Sequence, residues 1–146
     1  MAKQYIETYF ERYPGIKNYM ERVVRDAKDK GYVETLFHRR RELPDINSRN
    51  FNIRQFAERT AINSPIQGSA ADILKIAMIN LDKALVDGQF KTKMLLQVHD
   101  EIILQVPKDE LEAVKTLVKE TMESAIDLSV PLIADENAGQ TWYEAK

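Results

Sequence analysis

Residues 95–107 read LLQVHDEIILQVP, an apolar run interrupted at its centre by His99, Asp100 and Glu101. The apolar residues on either side predict two β-strands, 93–98 and 101–106. The dipeptide His99-Asp100 between them predicts a tight turn. Burial of an unpaired carboxylate is costly, so folding alone gives no reason to place two of them here. The pattern indicates either a polar hairpin tip, since turns favour Asp, or a ligand site.

The ligand that suits this tip is a hard divalent cation. Mg²⁺ needs only one or two protein carboxylates, because water and substrate phosphate complete its coordination. We expect the flanking apolar residues to be buried and to hold the carboxylates rigidly: Leu95, Leu96, Val98, Ile102, Ile103 and Leu104. Side chains of a strand alternate between its faces. We therefore expect one of Asp100 and Glu101 to be the principal ligand and the other to be peripheral.

Composition excludes several classes of protein. The chain has 146 residues, 44% of them hydrophobic and 30% charged, which is typical of one globular domain. It has no cysteine, so it has neither disulfides nor thiolate metal sites. The sequence lacks both glycine-rich nucleotide-binding motifs, G-x-G-x-x-G and G-x-x-x-x-G-K, and it has no nucleophile elbow. It also has no apolar span long enough for a membrane helix. These features predict an intracellular protein without a membrane partner.

Positive and negative charges are unevenly distributed. Residues 1–60 hold 13 Lys and Arg against nine Asp and Glu, whereas residues 61–146 hold eight against 14. Six arginines fall within 21 residues: Arg39, Arg40, Arg41, Arg49, Arg54 and Arg59. Arginine suits phosphate because its planar guanidinium donates two parallel hydrogen bonds. The cluster indicates either a polyanionic partner or ordinary solvated surfaces.

A second set of polar residues follows helical spacing. Arg59, Asn63 and Gln67 stand at positions i, i+4 and i+8, so they share one face of a helix that continues through Pro65. Such donors suit the minor groove of a duplex, where every base pair offers acceptors. The alternative is a solvated face on which Gln67 serves as a helix cap. The small residues that follow, Gly68 and Ser69, permit close approach of another backbone.

The periodicity of apolar residues predicts an α+β fold. The expected elements, in order, are helices over 4–13 and 14–31, a hairpin within 32–44, a helix from 48 to about 87, the 93–106 hairpin, a helix from Pro107 and a strand near 130–135. Pro65 is expected to kink or divide the long helix, because proline lacks an amide donor. If the helix restarts there, Ser64 and Gln67 can form a capping box. We expect an antiparallel sheet covered by helices on one face.

Several of these stretches together resemble one family over essentially the whole chain. They are GYVETLFHRRRELPDI (31–46), RNFNIRQFAERTAINSPIQGSAADILKIAM (49–78), LLQVHDEIILQVP (95–107) and TWYEAK (141–146). In this order they resemble the C-terminal part of family A DNA polymerases, the bacterial DNA polymerase I group. QVHDE matches the third polymerase motif of that family, and R-x3-N-x3-QG-[ST]-AAD is equally distinctive.

The resemblance implies a role for each candidate residue. Asp100 is one of two aspartates that hold a pair of Mg²⁺ ions, and Glu101 is its less directly ligating neighbour. His99 lies near the sugar of the primer's last nucleotide. Arg59, Asn63 and Gln67 follow the minor groove of the primer–template DNA.

The resemblance also implies a domain organisation. Residues 1–64 belong to a fingers subdomain, and residues 65–146 form the C-terminal part of a palm with an antiparallel palm-type sheet. The first polymerase motif with the partner aspartate, the helix that grips the incoming dNTP, and the thumb have no counterpart in these 146 residues. No residue caps the helix that starts at Lys3-Gln4. We therefore expect a fragment, with Met1 and Ala2 added either by truncation or by design.

The expected function is that of a fragment of a DNA-directed DNA polymerase in the bacterial cytoplasm, close to the nucleoid. The intact enzyme transfers nucleotides from dNTPs to a primer 3′-OH by a two-metal mechanism, and the remainder of the polymerase chain is its partner. The isolated chain is expected to be inactive, because a single Asp cannot hold both ions. The alternatives are a non-catalytic nucleic-acid-binding module and a folded, inactive fragment that self-associates.

Overall fold

The elements of the computed structural model follow the predicted order except at the C-terminal end. The structure describes the backbone of residues 2–145 and the side chains of residues 4–145. The elements are α1 (Ala2–Arg12), α2 (Pro14–Lys30), β1 (Tyr32–Glu34), β2 (Arg40–Glu42), α3 (Phe51–Asp87), β3 (Lys93–Val98), β4 (Glu101–Gln105) and α4 (Leu111–Glu123). The chain divides between Ala70 and Ala71 into two compact units, called here the N-terminal and C-terminal units.

The N-terminal unit packs α2, the β1–β2 hairpin and the first half of α3 around a small apolar core. Gly31 ends α2 as predicted: its φ is 82°, and its amide donates to the Ala27 carbonyl at 2.8 Å. The chain can therefore turn directly into β1, which pairs antiparallel with β2. The buried side chains are Ala27, Val33, Leu43, Ile46, Ala57 and Ala61.

Helix α3 is continuous for 37 residues, and the prediction that Pro65 divides it is wrong. Asn50 caps its first turn, since the Asn50 Oδ1 accepts from the amides of Asn52 at 3.0 Å and Ile53 at 3.3 Å. The helix persists through Pro65 because packing holds both sides of it. Ala61 is fully buried before Pro65, and the Ser69 hydroxyl donates to the Pro65 carbonyl at 2.5 Å.

Two further consequences follow from the continuity of α3. Ser64 and Gln67 lie inside the helix, so the proposed capping box is wrong. No helix in the described part of the chain, α3 included, is both long and apolar enough to cross a membrane.

The C-terminal unit packs the β3–β4 hairpin, α4 and the second half of α3 around a second core. Leu81, Leu85 and Val114 are buried there, and five partly buried side chains surround them: Phe90, Leu104, Val106, Leu117 and Val118. Helix α4 begins at Leu111, four residues later than predicted. The reason is a turn in which the Glu110 amide donates to the Pro107 carbonyl at 3.0 Å.

The predicted single sheet is replaced by two separate two-stranded antiparallel sheets within the described residues. The predicted burial of the β3–β4 hairpin is wrong at Leu95 and Leu96, which are each 53% exposed, whereas Val98, Ile102, Ile103 and Leu104 are partly buried. Two strands have two faces, and only the face bearing Leu104 packs against the core. The strand near 130–135 is absent from the described chain, because no neighbouring strand pairs with that segment.

Candidate functional site

The tip of the β3–β4 hairpin is a two-residue turn, as predicted. Val98 pairs with Glu101, which leaves only His99 and Asp100 in the loop. His99 has a φ of 55°, whereas Asp100 is outside the left-handed region. Residues other than glycine rarely adopt a positive φ, so His99 stores strain there, on the order of 1–3 kcal/mol. The Gln97 amide group donates to the His99 carbonyl at 2.6 Å and braces the turn.

The three polar residues of the tip are brought together at an exposed position. The side chains of His99, Asp100 and Glu101 are all solvent-exposed. Exposed adjacent carboxylates at a short turn suit Mg²⁺, which retains water and substrate oxygens as ligands. However, the residues that the structure describes form no group of three or more His, Cys, Asp or Glu able to hold a metal ion. A metal ion at this tip would therefore need further ligands from elsewhere.

The base of the same hairpin is fixed by Glu110, which the sequence patterns did not single out. Its carboxylate accepts hydrogen bonds from the Lys91 amide at 2.8 Å, the Thr92 amide at 3.0 Å and the Thr92 hydroxyl at 2.7 Å. The hydrogen bond from the Lys91 amide, followed by those from Thr92, lowers the pKa of Glu110 below its ordinary value. The charged carboxylate thus connects the start of α4 to the start of β3.

The polar stripe, defined as Arg59, Asn63 and Gln67, lies in the N-terminal unit on the continuous helix α3. Residues four apart on a helix are offset by only about 40°, so the three side chains share one face. All three are exposed, whereas Ala57 and Ala61 on the opposite side of the helix are 4% and 0% exposed. The structure therefore presents the predicted stripe to solvent, with the core of the unit behind it.

Five of the six clustered arginines are exposed, and three of the six have hydrogen bonds within the fold. Arg40 donates to Glu34 at 2.9 Å and lies 4.4 Å from the centre of the Tyr32 ring. The hydrogen bond to Glu34 is the main cause of the raised pKa of Arg40. Arg39 donates to the Gly68 carbonyl at 3.2 Å, and Arg54 donates to the Ser48 carbonyl at 2.8 Å. Three of the six arginines thus have contacts within the fold. The other three present exposed side chains: Arg41, Arg49 and Arg59.

Comparison with known proteins identifies a family for the whole chain. The sequence profile of DNA polymerase family A matches residues 1–144. DNA polymerase I of Streptococcus pneumoniae serotype 4 is 82% identical over 145 residues, which are 99% of this chain and 16% of that protein. DNA polymerase I of Bacillus caldotenax is 59% identical over the same length, with the same two coverages. The chain thus spans about one sixth of the length of the curated relatives it matches.

A solved structure has the same fold. It is the POL domain of Pol1 from M. smegmatis in complex with DNA primer-template and dNTP. Its TM-score is 0.97 at 45% sequence identity, over 99% of this chain and 25% of that one. The profile match, the two relatives and the similar structure all indicate the same family. The chain belongs to DNA polymerase family A.

Proposed function

We propose that this chain is the C-terminal part of a bacterial DNA polymerase I, whose intact form adds nucleotides from dNTPs to a primer 3′-OH in the bacterial cytoplasm. Membership of family A and the relatives named DNA polymerase I support this activity. The observation that carries it is the exposed Asp100 in a two-residue turn within QVHDE. A metal-binding carboxylate has to be accessible to the substrate, and this turn exposes Asp100 to solvent.

The hairpin tip contributes the acidic half of the reaction centre in this proposal. Asp100 and Glu101 suit Mg²⁺ by charge and by exposure, with Asp100 as the direct ligand and Glu101 beside it. When bound, a pair of Mg²⁺ ions supplies the charge stabilisation that phosphoryl transfer needs. The chain's own residues orient the primer end: the strained turn fixes Asp100, and the His99 imidazole lies near the terminal sugar.

The polar stripe contributes the DNA contact. Arg59, Asn63 and Gln67 donate hydrogen bonds to acceptors that all base pairs share in the minor groove, so they hold a primer–template duplex without reading its sequence. We further propose that residues 1–64 belong to the fingers and that residues 65–146, including the H-D-E hairpin, belong to the palm. The remainder of the polymerase chain supplies the second aspartate and the dNTP grip.

The test is a primer-extension assay with two proteins. The isolated 146-residue chain is expected to give no Mg²⁺-dependent extension, because its described residues form no group of three or more His, Cys, Asp or Glu that could hold a metal ion. A chimera in which this chain replaces the matching 145 residues of the S. pneumoniae enzyme is expected to extend primers at a rate close to the parent's. Extension by the isolated chain contradicts the first expectation, and a folded but inactive chimera contradicts the proposed function.

A second candidate is a non-catalytic nucleic-acid-binding module. It is favoured by the polar stripe and the exposed arginines, which all lie in the N-terminal unit. Their contacts with DNA would need no metal ion. The two candidates differ in their dependence on Asp100. Asp100→Asn leaves DNA binding by the isolated chain unchanged under both, but it abolishes extension by the chimera only if the chain is part of a polymerase.

A further inference from the structure

The turn that joins β1 to β2 is organised by its own hydrogen bonds. The Thr35 hydroxyl accepts from the amides of Phe37 and Arg39, each at 3.2 Å. The Thr35 amide donates to the Arg39 carbonyl, and the His38 amide donates to the Thr35 carbonyl, each at 3.0 Å. His38 adopts a φ of 61°, which closes the turn. The 35–39 turn is therefore one defined unit at the end of the arginine-bearing hairpin.

Ser69 connects this turn to helix α3 through hydrogen bonds. Ser69 is buried, with 7% of the residue exposed. Its hydroxyl donates to the Pro65 carbonyl at 2.5 Å. Because that bond fixes the orientation of the hydroxyl, a lone pair is free to accept the Leu36 amide, which lies at 2.9 Å. One buried hydroxyl thus joins the turn to the helix.

Gly68 allows this close approach. A Cβ atom at Gly68 would lie 2.7 Å from the Thr35 Cγ2 and 3.4 Å from the Arg39 Nη2. The Arg39 guanidinium also donates to the Gly68 carbonyl at 3.2 Å, which adds a second attachment next to the Ser69 bond. The attachment is made at the two residues that follow Gln67, the last member of the polar stripe. The position of the hairpin is thereby set with respect to that stripe.

We propose that Ser69 is a positioning residue for DNA binding: it holds the β1–β2 hairpin so that the exposed Arg41 and the polar stripe engage one duplex together. The role rests on the proposed DNA contact of the stripe. Arg41 lies on β2, opposite Val33 of the core, and its own side chain is exposed. Its partner is a phosphate of the DNA backbone, for which guanidinium is well suited. Ser69 itself is buried and acts only through the hairpin.

The test is a double-mutant cycle on the 146-residue chain, with binding to a fluorescent primer–template duplex measured at several salt concentrations. Ser69→Ala and Arg41→Gln are each expected to weaken binding about 3- to 10-fold and to reduce the slope of log K against log salt by about 1. The double variant is expected to bind no more weakly than the weaker single variant. Ser69→Thr keeps the hydroxyl and is expected to restore the wild-type slope.

Each other outcome decides against the proposal. Additive effects of the two substitutions, or an unchanged salt slope in Ser69→Ala, would mean that Ser69 has a purely structural role. Either result overturns the positioning role of Ser69 but leaves the stripe as a DNA contact. A wild-type chain that does not bind the duplex overturns the proposed DNA contact together with the role of Ser69. If Ser69→Ala does not fold, Thr35→Val, which removes the hydroxyl that organises the same turn, takes its place in the cycle with the same expected result.

Discussion

The two candidate surfaces differ in how far this chain supports them. In the N-terminal unit, the polar stripe lies on a helix whose opposite side, at Ala57 and Ala61, is buried. In the C-terminal unit, Asp100 lies at the end of a hairpin whose Leu95 and Leu96 are half exposed. The helix surface is held by its own core, whereas the hairpin packs through one face only. The polar stripe is thus better supported by the packing of its own unit than the hairpin tip is.

This difference implies that the two functions can be separated. Binding to a duplex needs exposed donors on a stable scaffold, and the N-terminal unit has both. Nucleotidyl transfer needs a complete set of metal ligands, which the described residues do not form. We therefore expect the isolated chain to bind primer–template DNA without extending it.

Asp100→Asn in the chimera with the S. pneumoniae enzyme is expected to have the largest effect. Loss of a direct metal ligand removes about 3–5 kcal/mol of transition-state stabilisation, a decrease in kcat of roughly 10²–10⁴-fold. Glu101→Gln is expected to cost about 10–100-fold, as is typical of a group next to the ligand shell. Single-turnover primer extension measures both. The exposed Asp109→Asn is the matched control, and an equal loss in Asp109→Asn contradicts the role of Asp100.

Leu81→Ala tests how strongly the C-terminal unit depends on its core. Leu81 is 0% exposed, so its truncation leaves a cavity and is expected to lower the free energy of unfolding by about 2–5 kcal/mol. Leu95→Ala is the matched control, because the same change at a half-exposed position is expected to cost much less, about 0.5 kcal/mol. Urea unfolding followed by circular dichroism measures both. Similar losses at the two positions would mean that the outer face of the hairpin is covered in solution.

Local patterns predicted the hairpins and the helices, since turn residues and apolar spacing act over a few neighbours. The His99-Asp100 turn and the end of α2 at Gly31 were correctly placed for that reason. Of the two predicted effects of Pro65, division of the helix was wrong, because the burial of Ala61 and the hydrogen bond from the Leu36 amide to the Ser69 hydroxyl outweigh one missing amide donor. The strand near 130–135 was not found, because a strand exists only where a neighbour pairs with it. The role that the sequence suggested for Asp100 remains a prediction.

Two residues that hold the elements bearing the candidate surfaces could not have been found from spacing. Ser69 and Glu110 act through backbone amides that are 33 and 18 or more residues away in the sequence. No periodic pattern encodes such bonds, because they depend on how two elements pack. The small residues after Gln67 gave a partial signal for Ser69, since they predicted close approach of another backbone, and Gly68 lies against Thr35.

Gly68→Ala tests whether the 35–39 turn is fixed by close packing. The added Cβ would lie 2.7 Å from the Thr35 Cγ2, so the turn has to move, at an expected cost of about 1–3 kcal/mol in the free energy of unfolding. Gly15→Ala is the matched control, because nothing lies within 4 Å of a Cβ there and alanine favours a helix by about 0.5–1 kcal/mol. Thermal unfolding measures both. A neutral Gly68→Ala contradicts the tight contact.

Arg59→Gln tests the DNA contact of the stripe. Loss of one guanidinium–phosphate or groove contact is expected to weaken duplex binding by about 1 kcal/mol and to reduce the salt slope by about 1. The exposed Lys75→Gln on the same helix is the control, since Lys75 lies outside the stripe. Fluorescence anisotropy at several salt concentrations measures both variants. If the two lose the same affinity, the effect comes from net charge and the stripe has no specific role.

Glu110→Gln is expected to have the smallest effect, and the effect depends on pH. The folded state lowers the pKa of Glu110, so the charged carboxylate stabilises the fold above its unfolded pKa, near 4.5, and this contribution is lost as pH falls through the lower folded value. The urea midpoint of Glu110→Gln is therefore expected to lie below that of the wild type at about pH 7 and to approach it at about pH 3. The exposed Glu120→Gln is the control, and little change is expected for it at either pH. The midpoint of Glu110→Gln could instead differ from that of the wild type by the same amount at both pH values. In that case the charge on Glu110 would contribute nothing to stability, and only the shape of its side chain would hold the base of the hairpin.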